Sequence, residues 1–485
     1  MSDQVTPLAD DFTAATRADW MKLVDKTLSG ASLESLVRRT DDGLPIAPLY
    51  TADDSAAPAR PLLSPHPGDR PWDVRTLIAH PDLARANAEV LEDLEGAGAS
   101  VVLRLDPTGQ AGVAVGSADG LARVLDGVVL ELASVALDAG FLGVAAAGWL
   151  AAAAKSSPSA RLEFHLDPLS ALAELGSSPG PIEAHLIAAA NAGARLAEPY
   201  PKASLFLASG RVVHEAGGGE ALELGFATAT AVAYAKALVR TGLSLDEAFG
   251  RISLGLAVDA DYFVSTAKLR AARAIWARIT AACGVAGPAR VEARSSGRMI
   301  AARDPWTNML RLTQAGFAAA VGGADCIVLG CFTDAIGLPT GFARRQSRNT
   351  QLVLMEEANL GRVSDPAGGA WCIETLTDEL ARAGWAAFQA IEAAGGVATA
   401  LASGQIARDV GTVRVARQAA IKDGKVKLVG VTVYPNANDR PVQVEAPDRA
   451  AFTVAAPSPR LPGPDASAPP LTPSRTAAPF EEASQ

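Results

Sequence analysis

The chain is poor in the side chains on which most site chemistry rests. It has 4 cysteines, Cys283, Cys326, Cys331 and Cys372, none in a C-x-x-C pair. That spacing excludes a disulfide framework or a thiolate zinc site and leaves buried free thiols of a reducing cytoplasm as the ordinary reading. The 5 histidines, His66, His80, His165, His185 and His214, are scattered with no pair at ligand spacing, so no metal site is expected. Basic charge is also short. Lys and Arg number 43 against 53 Asp and Glu, a net charge of −10, the wrong sign for a nucleic-acid partner. No apolar run reaches the length of a membrane span. The longest, 139–154, is mostly Ala and Gly and reads as a packed interior helix. The opening residues, MSDQVTPLADDF, are acidic and lack the apolar core of a signal peptide. These absences imply a cytoplasmic protein with neither nucleic acid nor membrane as partner. The phosphate loop G-x-x-x-x-G-K-[ST], the dinucleotide fingerprint, H-E-x-x-H and the G-x-S-x-G elbow are missing as well.

What the chain does have is apolar bulk in a regular rhythm. With 485 residues, 49% of them hydrophobic, it can bury a large core. From about 70 to 380, short β-rich runs alternate with Ala-rich helical ones. The predicted strands are 72–78, 100–105, 128–132, 161–165, 204–208, 290–293, 326–329 and 370–374. Helical patterns include 82–94, 118–125 and 378–394. Near-continuous apolar strands alternating with helices specify a parallel sheet covered on both faces, and this many units suggest an α/β fold of the (β/α)8 TIM-barrel type. An open doubly wound sheet needs nearly the same pattern. The clearest helix is 263–279, with Phe263, Ala267, Ala271, Ile275 and Ile279 at i, i+4 spacing. Its Lys268, Arg270, Arg273 and Arg278 fall mostly outside that stripe and read as a solvated face or as ion pairs.

Four regions follow. Residues 1–50 form an N-terminal helical arm. Thr16 and Asp19 have capping-box spacing, and Trp20, Leu23, Val24 and Leu28 share one face that must be covered by the barrel or by a partner. The barrel occupies 51–400, and 401–440 is a helical and then extended segment with a helix over 406–421. Residues 441–485 form a Pro/Ala-rich tail, too poor in large apolar groups to offset ordering entropy, and are expected to be disordered. The triplet Gly217-Gly218-Gly219 before a helical run is either an anion cradle or a plain loop-to-helix junction.

Long, ordered stretches carry a resemblance: KLRAARAIW at 268–276, RDPWTNMLR at 303–311, GLPTGFARRQSRNTQLVLMEE at 337–357, DPAGGAWCIETLT at 365–377, and RPWDVR at 70–75. Over most of 15–430 the chain resembles the methylmalonyl-CoA mutase family of acyl-CoA mutases, which rearrange acyl-CoA skeletons by adenosylcobalamin radical chemistry. Several site positions depart from that family. The tyrosine that follows the RPWDVR match in catalytic chains is Leu77 here. The frame S-G-Y-H-x-Q-E-A-G is kept at 209–217, with Arg211 for the tyrosine and Val212 for the histidine. The T-x-Q-N-D pattern is matched only by Glu163-Phe164-His165-Leu166-Asp167. Val212 has no donor with which to polarise a thioester. The cobalamin motif D-x-H-x-x-G is absent; His214 to Gly217 gives H-x-x-G with Val212 at the Asp position. About 100 residues after the barrel, largely low complexity, are too few for a cobalamin domain of usual size. The resemblance therefore implies a small, non-catalytic subunit with degenerate site positions Leu77, Arg211, Val212 and His165 and no cofactor or metal of its own. Adenosylcobalamin would be held by a large catalytic partner chain that interconverts (R)-methylmalonyl-CoA and succinyl-CoA. The alternative is the acyl-CoA barrel of a split mutase, taking its cofactor from a separate cobalamin-binding protein.

Overall fold

In the computed structural model, which describes residues 15–54, 70–436 and 438–482, parallel strands close into an eight-stranded barrel. Its strands are β1 (Asp73–Ile78), β2 (Ser100–Arg104), β3 (Ser134–Asp138), β4 (Leu162–Leu166), β5 (Ser204–Ser209), β6 (Ile252–Val258), β7 (Arg290–Ser295) and β8 (Cys326–Val328). Each pairs with the next, and β8 pairs back onto β1, with Ile327 opposite Val74. This is the expected TIM barrel, and closure removes the edges an open sheet would expose. His66 and the opening residues 1–14 lie outside the described residues.

Two predicted strands are corrected. The run 128–132 is a turn, with Val129 and Leu132 55% and 84% exposed, and the strand follows it as β3. The run 370–374 opens a long helix instead. Its Trp371 and Ile373 suit a strand by propensity, but Glu374 is drawn into a buried ion pair with Arg270 at 2.8 Å, and tertiary packing overrides propensity. The strand missed was β6, ISLGLAV. Its Gly255 reads as a breaker, yet a Cβ there would stand 3.2 Å from both Leu207 and Ser209, so the glycine fits a crowded interior.

Around the barrel lie α1 (Arg17–Leu28, in the arm), α2 (Leu83–Glu95), α3 (Glu220–Arg240), α4 (Tyr262–Ala282), α5 (Trp371–Ala393) and α6 (Gln405–Lys422). The capping box at Thr16 and Asp19 forms as expected, but only Val24 of the apolar stripe is buried and Leu23 is 64% exposed. On α4, Lys268, Arg270 and Arg273 are ion-paired, while Arg278 is exposed and lies over the Trp385 ring. Lys268 meets Glu223 at 2.6 Å, and Arg273 meets Asp325 at 2.8 Å. Helix α3 is long and apolar enough to cross a membrane, but 67% of its apolar window is buried, as in the interior helix of a large fold.

The tail overturns the expectation of disorder. Residues 438–482 run as an extended belt around the C-terminal rim of the barrel. Arg440 accepts from the Trp306 indole, Glu445 pairs with Leu338, and Val454 N–H donates to Pro107. Farther on, Ala468 donates to Gly176, Leu471 to Ala173, Ser474 to Glu215 and Thr476 to Arg298, until Glu481 accepts from Ala302 and Arg303. Composition alone misleads here. Proline-rich chain is already extended and loses little entropy on docking, main-chain hydrogen bonds need no large side chains, and small apolar groups such as Leu471 and Ala477 seat in notches between loops.

Helices α3 and α5 approach closely through glycine. A Cβ on Gly225 would stand 2.6 Å from the Ala387 Cβ, and one on Gly384 2.8 Å from the Leu224 Cβ. Gly384→Leu should therefore overpack the contact and lower stability by about 1–3 kcal/mol. Urea denaturation reads this directly, and an unchanged midpoint would refute the close approach.

Candidate functional site

In a TIM barrel, chemistry sits at the C-terminal mouth, above side chains that fill the lumen in layers. Here the lumen is filled by charge. Alternation along β1 points Asp73, Arg75 and Leu77 inward, and β7 sends in Arg290, Glu292 and Arg294. Arg75 is fully buried, and all its N–H groups are engaged. Nε donates to Ser100 Oγ at 2.8 Å. Nη1 donates to Glu163 Oε2 (2.8 Å) and Glu292 Oε2 (2.9 Å), and Nη2 to Glu163 Oε1 (2.6 Å) and Asp73 Oδ2 (3.1 Å). Burial opposes this charge, but the surrounding carboxylates outweigh it, and Arg75 is held well above its ordinary value. Burial likewise opposes ionisation of Glu163, yet Arg75 holds it well below the carboxylate range.

His165 belongs to the same layer. Its φ of +43° and a register irregularity between Glu163 and Leu166 accompany a ring whose Nε2 lies 2.9 Å from Glu163 Oε2. Such left-handed geometry at a non-glycine residue is uncommon and often marks a site, but here the ring meets a carboxylate of its own strand. Glu163, His165 and Glu292 could by position hold a metal ion. Arg75 already supplies a cation to both carboxylates. Asp167, at the end of the weak T-x-Q-N-D match, accepts from the Tyr234 hydroxyl and caps the helix Pro168–Leu175, so it is engaged structurally.

Above this plug, Leu77 packs on Val102, Ala136, Cys326 and Val328 and closes the lumen with an apolar layer. Arg211 opens the short helix Arg211–Glu215 after β5, and the adjoining Gly210 is required, since a Cβ there would stand 2.5 Å from Glu223 O. Val212, 8% exposed, packs in the main core. Of the four positions singled out in the sequence, Leu77 and Arg211 lie toward the mouth, His165 lies in the plug, and Val212 faces the packed interior. The residues that sequence reasoning passed over are Arg75, Glu292, Arg294, Arg104 and Asp138. Their signal was legible: Arg290-x-Glu292-x-Arg294 alternates charge at period two in a strand whose fold class buries both faces.

The glycine triplet is a cradle filled from within the chain. Asp42 of the arm sits at the N-terminus of α3, where its Oδ2 accepts from Ala221 N–H at 3.0 Å, and a Cβ on Gly219 would collide with its carboxylate. Burial, and after it the neighbouring Asp42 charge, push Glu220 up to about 8 against the pull of Lys268. Beneath lies His214, wholly buried, with Nε2 2.9 Å from Ser296 Oγ and Nδ1 3.4 Å from Glu223. Ser, His and Glu stand in nucleophile order, but all are sealed from solvent, so no substrate reaches them.

The plug yields a signed prediction. Arg75→Met leaves Glu163 and Glu292 buried without their shared cation and should lower stability by about 3–5 kcal/mol near neutral pH. In the parent chain Glu163 titrates below its unfolded value, so its contribution is full above that value and fades as pH falls. In the variant the stranded carboxylates titrate above it, and acid relieves them. The stability gap should narrow between pH 7 and pH 4.5 in urea titrations; a constant gap would exclude an ionic origin.

The methylmalonyl-CoA mutase family model matches residues 102–456. The methylmalonyl-CoA mutase small subunit of Streptomyces virginiae is 40% identical, across 92% of this chain and 74% of its own. The probable methylmalonyl-CoA mutase small subunit of Mycobacterium tuberculosis (strain ATCC 25618 / H37Rv) is 40% identical, across 83% of this chain and 66% of its own. That of Propionibacterium freudenreichii subsp. shermanii is 33% identical, across 92% and 73%. With the closed barrel and these matches together, the chain belongs to the methylmalonyl-CoA mutase family.

Proposed function

We propose that the chain is the non-catalytic small subunit of a heterodimeric, adenosylcobalamin-dependent methylmalonyl-CoA mutase. It would support a large subunit that interconverts (R)-methylmalonyl-CoA and succinyl-CoA. One observation supports the reading: the lumen of the barrel is filled by the chain's own groups. Arg75 and its carboxylates fill the lumen, Leu77 lies above them, and Val212 packs into the core. A mutase has to position the thioester by hydrogen bonds and keep radicals from water. Leu77 and Val212 offer no donor, and Arg211 offers a fixed charge where a neutral phenol is expected. The residues present do not fit the cofactor's lower ligand either. The only H-x-x-G histidine, His214, is wholly buried and bonded to Ser296. The names of the relatives, small subunits, agree with this role.

The arm supplies a docking element. On the apolar face of helix α1, Val24 is buried and Trp20 and Leu28 are half-buried, while Leu23 stays 64% exposed, which leaves one large apolar side chain free for a partner.

The purified chain given adenosylcobalamin and methylmalonyl-CoA should not turn over, and mixing with the large chain should give an active 1:1 complex. Turnover by this chain alone would end the proposal. Leu23→Asp should weaken the complex by more than about 1 kcal/mol while leaving the unfolding midpoint of the isolated chain unchanged, since the side chain lies outside the core.

A further inference from the structure

Near its end the belt has a periodicity of its own. Ala468, Leu471 and Ser474 stand three residues apart, and each turns its backbone N–H to the barrel, donating to Gly176, Ala173 and Glu215 in turn. Ala468 and Leu471 are buried, whereas Pro469, Pro470, Thr472 and Pro473 between the anchors are exposed. A period of three is that of the polyproline II helix, and the residue types impose it. Pro469, Pro470 and Pro473 have φ fixed near the polyproline II value. The residues that precede a proline, Ala468, Pro469 and Thr472, are steered into the extended region. One edge of this three-sided helix is therefore fastened to the rim, and two edges face outward.

The outward edges carry a recognition pattern. Residues 470–475 read P-x-x-P-x-R. The pairs Pro469-Pro470 and Thr472-Pro473 make two successive ridges, and Arg475 continues the edge of Pro469 and Thr472 by one more turn. The Arg475 side chain is 30% exposed and gives Glu481 one bond at 2.7 Å, which leaves further guanidinium donors for a second acceptor. The positions that point away from these edges, Leu471 and Ser474, are the ones the barrel holds. Docking has also removed the ordering cost that a free proline-rich tail meets on binding. Upstream, Pro459 and Pro462 repeat the spacing, but Pro464 stands where the arginine should be.

We propose that residues 469–475 are a docking ridge for a partner domain that reads polyproline II helix. Such a domain takes the two x-Pro pairs in a groove lined by aromatic side chains and sets an acidic residue against Arg475. The ridge involves neither the lumen nor helix α1, so it stands apart from the subunit role.

Isothermal titration of the full chain with a purified SH3 domain selective for P-x-x-P-x-R tests it. One domain should bind per chain. Pro473→Ala should weaken binding about tenfold or more, as truncation of a pocket-filling anchor does. Its melting temperature should stay that of the parent, because Pro473 is exposed. Arg475→Gln should also weaken binding, and Pro459→Ala should leave it unaltered. A synthetic peptide of residues 466–477 should bind more weakly than the full chain, since it has to be ordered first. Failure of the full chain to bind, or equal affinity in Pro473→Ala, would overturn the assignment. So would a peptide that binds more tightly than the chain, which would mean that the barrel hides the ridge. Self-association of the chain through these prolines, shutting the domain out, would do the same.

Discussion

Everything inside this barrel is arranged around one guanidinium. Arg75 reaches the axis from β1 and takes hydrogen bonds to Ser100, Asp73, Glu163 and Glu292, tying β1 to β2, β4 and β7. A lumen of this size has to be filled, and apolar side chains would fill it at lower desolvation cost. Buried ion pairs are weak sources of net stability, because the attraction between partners is largely consumed in removing them from water. What they impose is geometry. A fixed fork with every donor engaged admits one arrangement of its acceptors, and a slip of one residue in β1, β4 or β7 would strand charge in the core. The plug is thus better understood as a constraint on register than as a store of folding energy.

That constraint bears on function by exclusion. A barrel can enclose a ligand or close on itself, and the side chains that would shape a pocket are the same inward-facing ones that form the plug. Once Glu163, Glu292 and Arg75 are mutually satisfied, opening the lumen means exposing charges that have no other partners. The outer architecture is untouched by this choice. The α3–α5 glycine contact, the ion pairs of α4 and the belt along the rim all depend on the outward faces of the strands and on the loops, not on the lumen. A chain can therefore keep the family's exterior while its interior is given over to packing, which is the combination the proposed supporting role requires.

The sequence carried the repeating unit well and the particulars unevenly. Six of the eight barrel strands were legible because each is a short run of β-prone residues between helical stretches. β3 was displaced because Val128 to Leu132 is apolar yet lies on an exposed turn, and β6 was hidden by Gly255. The 370–374 run misled because its β-prone side chains begin a helix fixed by the Arg270–Glu374 pair, a contact between residues far apart in the chain. The tail misled for the opposite reason. Its low hydrophobicity describes side chains, while the belt is held chiefly by backbone hydrogen bonds, which composition does not register. The positions of Leu77, Arg211 and Val212 came only from comparison with a family frame. The alternating charges of β7 were there to be read, but a strand pattern does not say which distant carboxylates will meet it.

The glycine triplet shows how the arm and the barrel constrain one another. Helix α3 begins without a side-chain cap, so its first N–H groups and the positive end of its dipole need an acceptor. Asp42 provides it, and neighbouring Asp41 pairs with Arg417 of α6, whose Nη1 also donates to Gly217 O. Arg38 adds a further tie to Asp261 at the start of α4. At the far end of the arm, Asp54 holds Thr375 of α5 through its carbonyl. The segment is thus fastened at 38–42 and again at 54, whereas α1 is bonded by side chains chiefly to the arm itself, through Arg17 and Asp54. Anchoring of that kind fixes where α1 projects and covers all of its apolar face except Leu23. An element meant only to stabilise its own barrel would bury that side chain too, because apolar burial is the larger contribution. The arm instead fixes its base with charge and leaves Leu23 to water, which is consistent with the proposed docking of this helix on a second chain.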